Sequence, residues 1–328
     1  MILLPGARSS LFSILFGLVV CALACVPAAR QAQATDCTSD QKAAADRQLQ
    51  LSTRDKNASI ARQLPWGTPE GPAGADNERL LVQRDYVIDY DSDLRVPIWV
   101  AYRLDSSRLG HSPRIDCFRA DLRLSAAAAS TLSDYKEPIF DQGHLANNAD
   151  MTSSANSVIN SFILSNMTPQ YCQFNEGVWQ MLENIVRLWA KADGTVYVIT
   201  GSILDRNGDG KRDADDAAVH MKSDNGNERV AIPTAFFKVI AHRRGDDTLE
   251  AITLIMPNDQ TDLDHQEAVD YIDQQVSTIE TVEAETGLKL FPEFRGTIEE
   301  ARQLWPFTGS PGHSLVGNRC RATAGNMQ

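Results

Sequence analysis

The chain has 328 residues, with 31 basic and 43 acidic side chains and a net charge of −12. So large an excess of acid excludes avid binding of polyanions by overall charge, which requires Lys and Arg in surplus. There is no internal repeat and no low-complexity linker, and the length suits one large domain or two small ones.

The first 34 residues read as a secretory leader. Arg8 supplies positive charge, Leu11 to Ala24 is an apolar run, and Ala32-Gln33-Ala34 offers a small-residue cleavage site. The run is short for a retained membrane anchor, which is the alternative. Cys25 after Ala22-Leu23-Ala24 is a weak lipoprotein signal, with Ala where Leu is usual. The mature chain is expected to begin at Thr35, secreted or periplasmic and free of the membrane. Losing Arg8 and Arg30, and no acid, takes the charge from −12 to −14. Cys37, Cys117, Cys172 and Cys320 remain, an even number that predicts two disulfides in any of three pairings.

Asp36 to Leu64 is polar and predicted helical, and Pro65 to Asp76 is a Gly/Pro-rich connector. Residues 35–76 thus form an N-terminal segment ahead of a domain over 77–320, with 321–328 as a tail. Strands are predicted at Tyr86–Tyr90, Pro97–Leu104, Thr195–Leu204, Ala235–Ala241 and Leu249–Met256. Asp262 to Thr286 reads as one helix stopped by Gly287. Elements interspersed without a βαβ rhythm predict an α+β fold, a central mainly antiparallel sheet with helices packed on it. Arginines at 79, 84, 95, 103, 108, 114, 119 and 123 cluster ahead of residue 140, so a basic cleft on an acidic body is expected.

The chemistry concentrates between Phe140 and Lys191. Asp141-Gln142-Gly143-His144 ends a short apolar run. Phe162 to Asn166 is strand-like and leads into Thr168-Pro169-Gln170. From Asn175 an amphipathic helix carries Trp179, Leu182, Val186 and Trp189 on one side. These motifs, together with Asn175-Glu176-Gly177-Val178-Trp179-x-x-Leu182-Glu183, resemble the DNA/RNA non-specific endonucleases of the Serratia nuclease and endonuclease G type. A looser resemblance covers about Pro65 to Phe294.

The resemblance implies a ββα-metal active site and hydrolysis of DNA and RNA to 5′-phosphate ends. His144 is the candidate general base, because imidazole titrates near neutrality. Asp141 would brace it, and Gly143 permits the tight bend before it. Asn175 offers one hard oxygen to Mg²⁺ or Mn²⁺ and would also open the helix as its N-cap. Glu183 lies two helical turns on, placed to hold metal-bound water; its bland alternative is an exposed pair with Arg187. The family usually has Arg where this chain has Gln142, so a charged grip on the phosphate is missing, and Arg187 matches a family Arg that can share that load. Gln142, Asn166 and Gln170 occupy motif positions on the substrate side.

A second pattern fits a calcium loop. Asp205, Asn207, Asp209 and Asp213 fall at positions 1, 3, 5 and 9, Gly210 at 6 and Lys211 at 7 for a backbone carbonyl. Position 12 is Asp216 where Glu is expected. The alternative is a solvated acidic turn. Rival functions are a catalytically weak nucleic-acid-binding relative, a phosphodiesterase for small or lipid substrates, and a calcium-stabilised extracellular interaction protein.

Overall fold

The structure, a computed structural model, describes residues 35–71, 80–223, 226, 228–245, 247–312 and 320. The expected leader 1–34, the tail 321–328, Arg79 and the end of the connector lie outside the described residues. After β1 (Thr35–Asp36), the polar stretch folds as two helices, α1 (Ser39–Arg47) and α2 (Thr53–Gln63). Each has its own start signal. Thr38 Oγ1 accepts from Gln41 N–H while the Gln41 side chain accepts from Thr38 N–H, and Ser52 Oγ accepts from Asp55 N–H. A second cap so soon after the first ends any single long helix.

The strands that follow are β2 (Leu80–Val82), β3 (Val87–Asp91), β4 (Val96–Asp105), β5 (Ile115–Asp116) and β6 (Phe140–His144). Then come α3 (Ala155–Ser161), β7 (Met167–Tyr171), the single turn α4 (Cys172–Phe174), α5 (Gln180–Asp193) and β8 (Thr195–Ile203). The chain continues through β9 (Ala235–Arg244), β10 (Thr248–Pro257), α6 (His265–Gln274), β11 (Val276–Ser277), α7 (Ile279–Thr286) and β12 (Thr297–Glu300).

An eight-stranded sheet runs β11-β10-β9-β8-β4-β3-β2, antiparallel at each of these pairings, with β12 parallel to β10. Both of its faces are covered. On β9, Phe236 and Ile240 join the core beneath α5, with Leu182, Ile185, Val186 and Trp189. Phe237, Val239 and Ala241 point the other way, toward Trp66, Val282, Leu290 and Phe291. This is the period-two alternation of a strand buried on both sides, and it explains why these segments read as continuous apolar runs. β6 and β7 form a separate antiparallel ribbon, and β1 and β5 a short parallel pair.

Two expected elements are revised. The helix predicted over Asp262–Thr286 is two helices, because Val276–Ser277 extends as β11 to pair with Leu254 and Thr253 of β10. Asp264 caps the first helix and Thr278 the second. Gly287 does end the second, with φ 70°. The strand expected at Phe162–Asn166 is the end of α3 and a 3-10 turn over Leu164–Asn166, and extended backbone begins only at Met167. Of the three possible cysteine pairings, the fold makes Cys37–Cys117 and Cys172–Cys320.

Candidate active site

The β6–β7 ribbon sets the geometry. Asp141 pairs with Gln170, Gln142 with Pro169, Gly143 with Thr168 and His144 with Met167. Strand alternation then places Gln142 and His144 on one face and Asp141 and Gly143 on the other. Gly143 is required by packing: a Cβ there would lie 2.1 Å from Gln170 Oε1. Gln170 is fully buried, and neither its amide oxygen nor its nitrogen has a hydrogen-bond partner.

His144 sits edge-on to Phe162, ring centroids 4.8 Å apart, with Phe118 at 6.1 Å. Although the residue as a whole is half-buried, Nε2 is enclosed and has no hydrogen-bond partner. Burial first, and then the positive charge of Arg114, press its pKa from 6.5 down to about 3. The ring is therefore neutral at physiological pH.

Asn175 does not cap α5. It ends α4 with helical angles and starts a wide π turn over Asn175–Trp179, in which Gly177 leaves the helical region at φ −102°, ψ −109°. Such turns inside helices recur at functional sites because they re-aim one side chain. Here Asn175 Nδ2 donates to Asp141 Oδ2 at 2.9 Å. With that nitrogen committed, the amide oxygen is the atom left for a cation. Carboxylate oxygens of Asp141 and Glu176 lie within 4.8 Å of one another beside it. Hard oxygens in a half-buried setting fit Mg²⁺ or Mn²⁺, which keeps most of its waters. Cys172 and Cys320 share the neighbourhood but are joined to each other.

The other end of β6 is tied to α5. Asn147, three residues past His144, donates to Glu183 Oε2 and accepts from Arg187 Nη1 at 3.3 Å. Arg187 also donates to Asp150 Oδ1 at 2.7 Å and to Asn184, and Tyr102 donates to Asp150 Oδ2 at 2.9 Å. Glu183 is 4% exposed, so the exposed Glu183–Arg187 pair is not formed. Burial raises the Glu183 carboxyl, and Lys238 and Arg187 pull it back in part. Lys238, on β9, is 1% exposed, with Nζ 4.2 Å over the Trp179 ring and 3.4 Å from Thr200 Oγ1. Burial lowers its pKa.

Several expected roles change. Arg187 is paired with Asp150, and its side chain is only 15% exposed. Asn166 is fully buried: Oδ1 accepts from Ala146 N–H, and Nδ2 donates to the carbonyls of Ala146 and Ser161. It braces the turn before β7 instead of contacting substrate. Gln170 is likewise enclosed, packed on Gly143. Gln142 is half-buried on the His144 face. The arginines counted toward a basic cleft are largely paired: Arg103 with Asp105, Arg108 with Asp85, Arg119 with Asp46 and Arg123 with Asp121.

At the acidic loop, Asp205 accepts from the N–H groups of Gly208, Asp209 and Gly210, Asn207 from Asp209, Asp209 from Lys211 and Asp213 from Arg206. No three acids within Asp205–Asp216 bring their oxygens within 4.8 Å of one another; Asp215 clusters instead with Asp91 and Asp93. Backbone N–H groups thus engage both Asp205 oxygens, Asn207 Oδ1 and one oxygen each of Asp209 and Asp213, and Asp216 sits in a 3-10 turn.

Asn147, Asp150, Tyr102, Lys238 and Phe162 were not singled out from sequence. The one available signal was Lys238, a lone charge inside the apolar run Ala235–Ala241.

A sequence profile of the DNA/RNA non-specific endonucleases matches residues 68–295. The mitochondrial endonuclease G of Homo sapiens is 33% identical over 217 residues, 65% of this chain and 70% of that protein. The mitochondrial nuclease EXOG of Danio rerio is 31% identical over 233 residues, 69% of this chain and 63% of that one. The crystal structure of an EndoG/EndoGI inhibitory complex superposes with a TM-score of 0.57 at 26% identity, over 72% of this chain and 93% of that chain. The ribbon, the π turn and α5 lie within the matched segment, and the chain belongs to the DNA/RNA non-specific endonuclease family, nucleases that hydrolyse phosphodiester bonds.

Proposed function

We propose that the protein is an exported, metal-dependent endonuclease that cuts both DNA and RNA to 5′-phosphate and 3′-hydroxyl ends, with His144 as general base. The observation that carries this reading is the enclosed, unpartnered Nε2 of a neutral His144 at the end of β6. A neutral imidazole can take a proton from the attacking water directly. A phosphodiester anion bound beside it opposes Arg114 and raises its basicity toward the working pH. Asn175 is assigned as protein ligand of one Mg²⁺ or Mn²⁺, steered by Asp141. That ion, when bound, supplies Lewis-acid stabilisation of charge on the phosphate and the leaving oxygen. Glu183, oriented by Asn147, is assigned to the water around the ion. No 2′-hydroxyl is called on, so both sugars are accepted, and contacts to the phosphate backbone carry little sequence preference.

Export is supported by the leader pattern of residues 1–34 and by two disulfides, which persist in oxidising compartments. Residues 35–76 are assigned as an N-terminal segment, 77–320 as the nuclease domain and 321–328 as a tail. No helix among the described residues is long and apolar enough to cross a membrane. A second reading, a weak relative that binds nucleic acid without cutting it, draws on Gln142 and the net charge. Purified protein incubated with plasmid and with RNA, in Mg²⁺ and then EDTA, separates the two. His144→Ala is expected to lower the Mg²⁺-dependent rate at least ~100-fold, the scale of general-base removal. Cleavage by that variant at the parent rate removes the base assignment.

A further inference from the structure

We propose that Lys238 is a positioning residue for the site: its buried ammonium is the counter-charge that holds Glu183 as a carboxylate, the form that can order water around the metal. The inference rests on the proposed reading of Glu183. Geometry brings the two groups together from opposite sides. Lys238 lies within β9, in a cross-strand row with Thr200 on β8 and Leu254 on β10. Strand alternation gives it the same face as Phe236 and Ile240, which pack beneath α5. Its Nζ lies 4.2 Å over the Trp179 ring. Glu183 follows Trp179 by one helical turn, on the same side by its spacing, and is buried.

Four buried charges lie under α5, and two of them, Asp150 and Arg187, are paired at 2.7 Å. Glu183 is hydrogen-bonded by a neutral group, the amide of Asn147. Lys238 forms no ion pair among the described residues; its Nζ meets the Trp179 ring and Thr200 Oγ1 at 3.4 Å. The Thr200 hydroxyl donates to the Phe237 carbonyl, so its oxygen turns a lone pair to Nζ. A ring face and a lone pair both suit an ammonium. One anion and one cation thus remain, and a buried charge is costly unless another compensates it. Burial favours the neutral acid at Glu183, and Lys238 is the foremost charge opposing it, ahead of Arg187. The effect is mutual: burial works against the charge on Lys238, and Glu183 is foremost in sustaining it. The other charged or titratable groups around Glu183 are Arg187 on its own helix, Asp150 in the turn after β6 and Tyr102 on β4, and Arg187 is already engaged by Asp150. A protonated Glu183 would donate a hydrogen bond where bound water needs an acceptor.

The test reads Glu183 directly in the metal-free protein, beside cleavage. Its side-chain carboxyl carbon resonance, assigned by its loss in Glu183→Gln, is followed by NMR against pH. Lys238→Met, which keeps an apolar stem, should move the midpoint to higher pH by about one unit or more, the scale of losing a nearby opposite charge. At about pH 7 the Mg²⁺ requirement for plasmid cleavage should rise ~10–100-fold, and much of that rise should vanish by about pH 9, where Glu183 ionises unaided. A Lys238 that only fills space would lower stability without either effect. In a Glu183→Gln background, Lys238→Met should change the Mg²⁺ requirement little. The double variant should lose less stability in urea than the two single losses summed, because both buried charges leave together. A parent-like midpoint and Mg²⁺ requirement in a folded Lys238→Met overturn the proposal, as do additive losses in the double variant. A parent-like Mg²⁺ requirement in Glu183→Gln, with the midpoint still moved by Lys238→Met, overturns the underlying role of Glu183 instead. If Lys238→Met does not fold by circular dichroism, Lys238→Gln takes its place with the same expected and overturning results.

Discussion

His144 makes stability depend on pH as well as turnover. Its pKa is lowered in the folded protein, so between about 6.5 and 3 the unfolded chain binds the extra proton. The contribution is complete above the unfolded value and is lost as pH falls through that window. Urea unfolding of the parent from pH 7.5 to 4 should therefore show a steeper loss of stability than His144→Gln, which cannot titrate. Parallel curves would mean that the ring is solvated when folded. The Asn175 and Glu183 roles separate in Mg²⁺ titrations of cleavage. Asn175→Ala should weaken Mg²⁺ activation directly. Glu183→Ala should raise the Mg²⁺ requirement more mildly, by ~10–100-fold, as loss of a group acting through bound water does. Superimposable titrations for parent and Asn175→Ala would exclude Asn175 as ligand.

The helix α5 is more than a carrier of Glu183. Through Arg187 it closes a buried network with Asp150, Asn147 and Tyr102, which ties the turn after β6 to β4 beneath it. Breaking a buried ion pair leaves a charge stranded, at a cost of about 3–5 kcal/mol. Arg187→Met should lose stability on that scale in urea titrations. Arg187→Met with Asp150→Asn should recover part of it, since Asn still accepts from the Tyr102 hydroxyl while carrying no charge. Additive losses in the double variant would contradict the coupling.

Across the whole molecule, two disulfides link segments far apart in sequence, 80 and 148 residues. Cys37–Cys117 belongs to a small core with Ala45, Val158, Ile159 and Phe162, so it fastens the N-terminal helices to the wall of the His144 site. Converting both to Ser should cost about 2–5 kcal/mol, read as a lower Tm, by freeing the unfolded chain. The net charge of −12 acts at this scale too. With Arg103, Arg108, Arg119 and Arg123 committed to carboxylates, attraction for nucleic acid comes from local groups rather than an overall field.

The order and spacing of Asp141-x-Gly-His144, Thr168-Pro-Gln170 and Asn175 to Glu183 were legible in the sequence, as were the five long strands, the stop at Gly287 and the even count of cysteines. Those signals are local: a glycine bend, a β-branched or apolar run, or a parity set by composition. The sequence did not show that Arg187 belongs to Asp150, that Asn166 is consumed by backbone, or that Lys238 lies over Trp179. It did not show which cysteines pair, or that a π turn re-aims Asn175. Each of these depends on where another segment comes to rest, from the 20-residue gap of the Ala146–Asn166 pair to the 37-residue gap of Asp150–Arg187 and the 148-residue gap of Cys172–Cys320. A long-range contact leaves no periodicity in either partner. Packing of the ribbon and α5 against the sheet decides it, because only there do burial and charge select among partners that the sequence leaves equivalent.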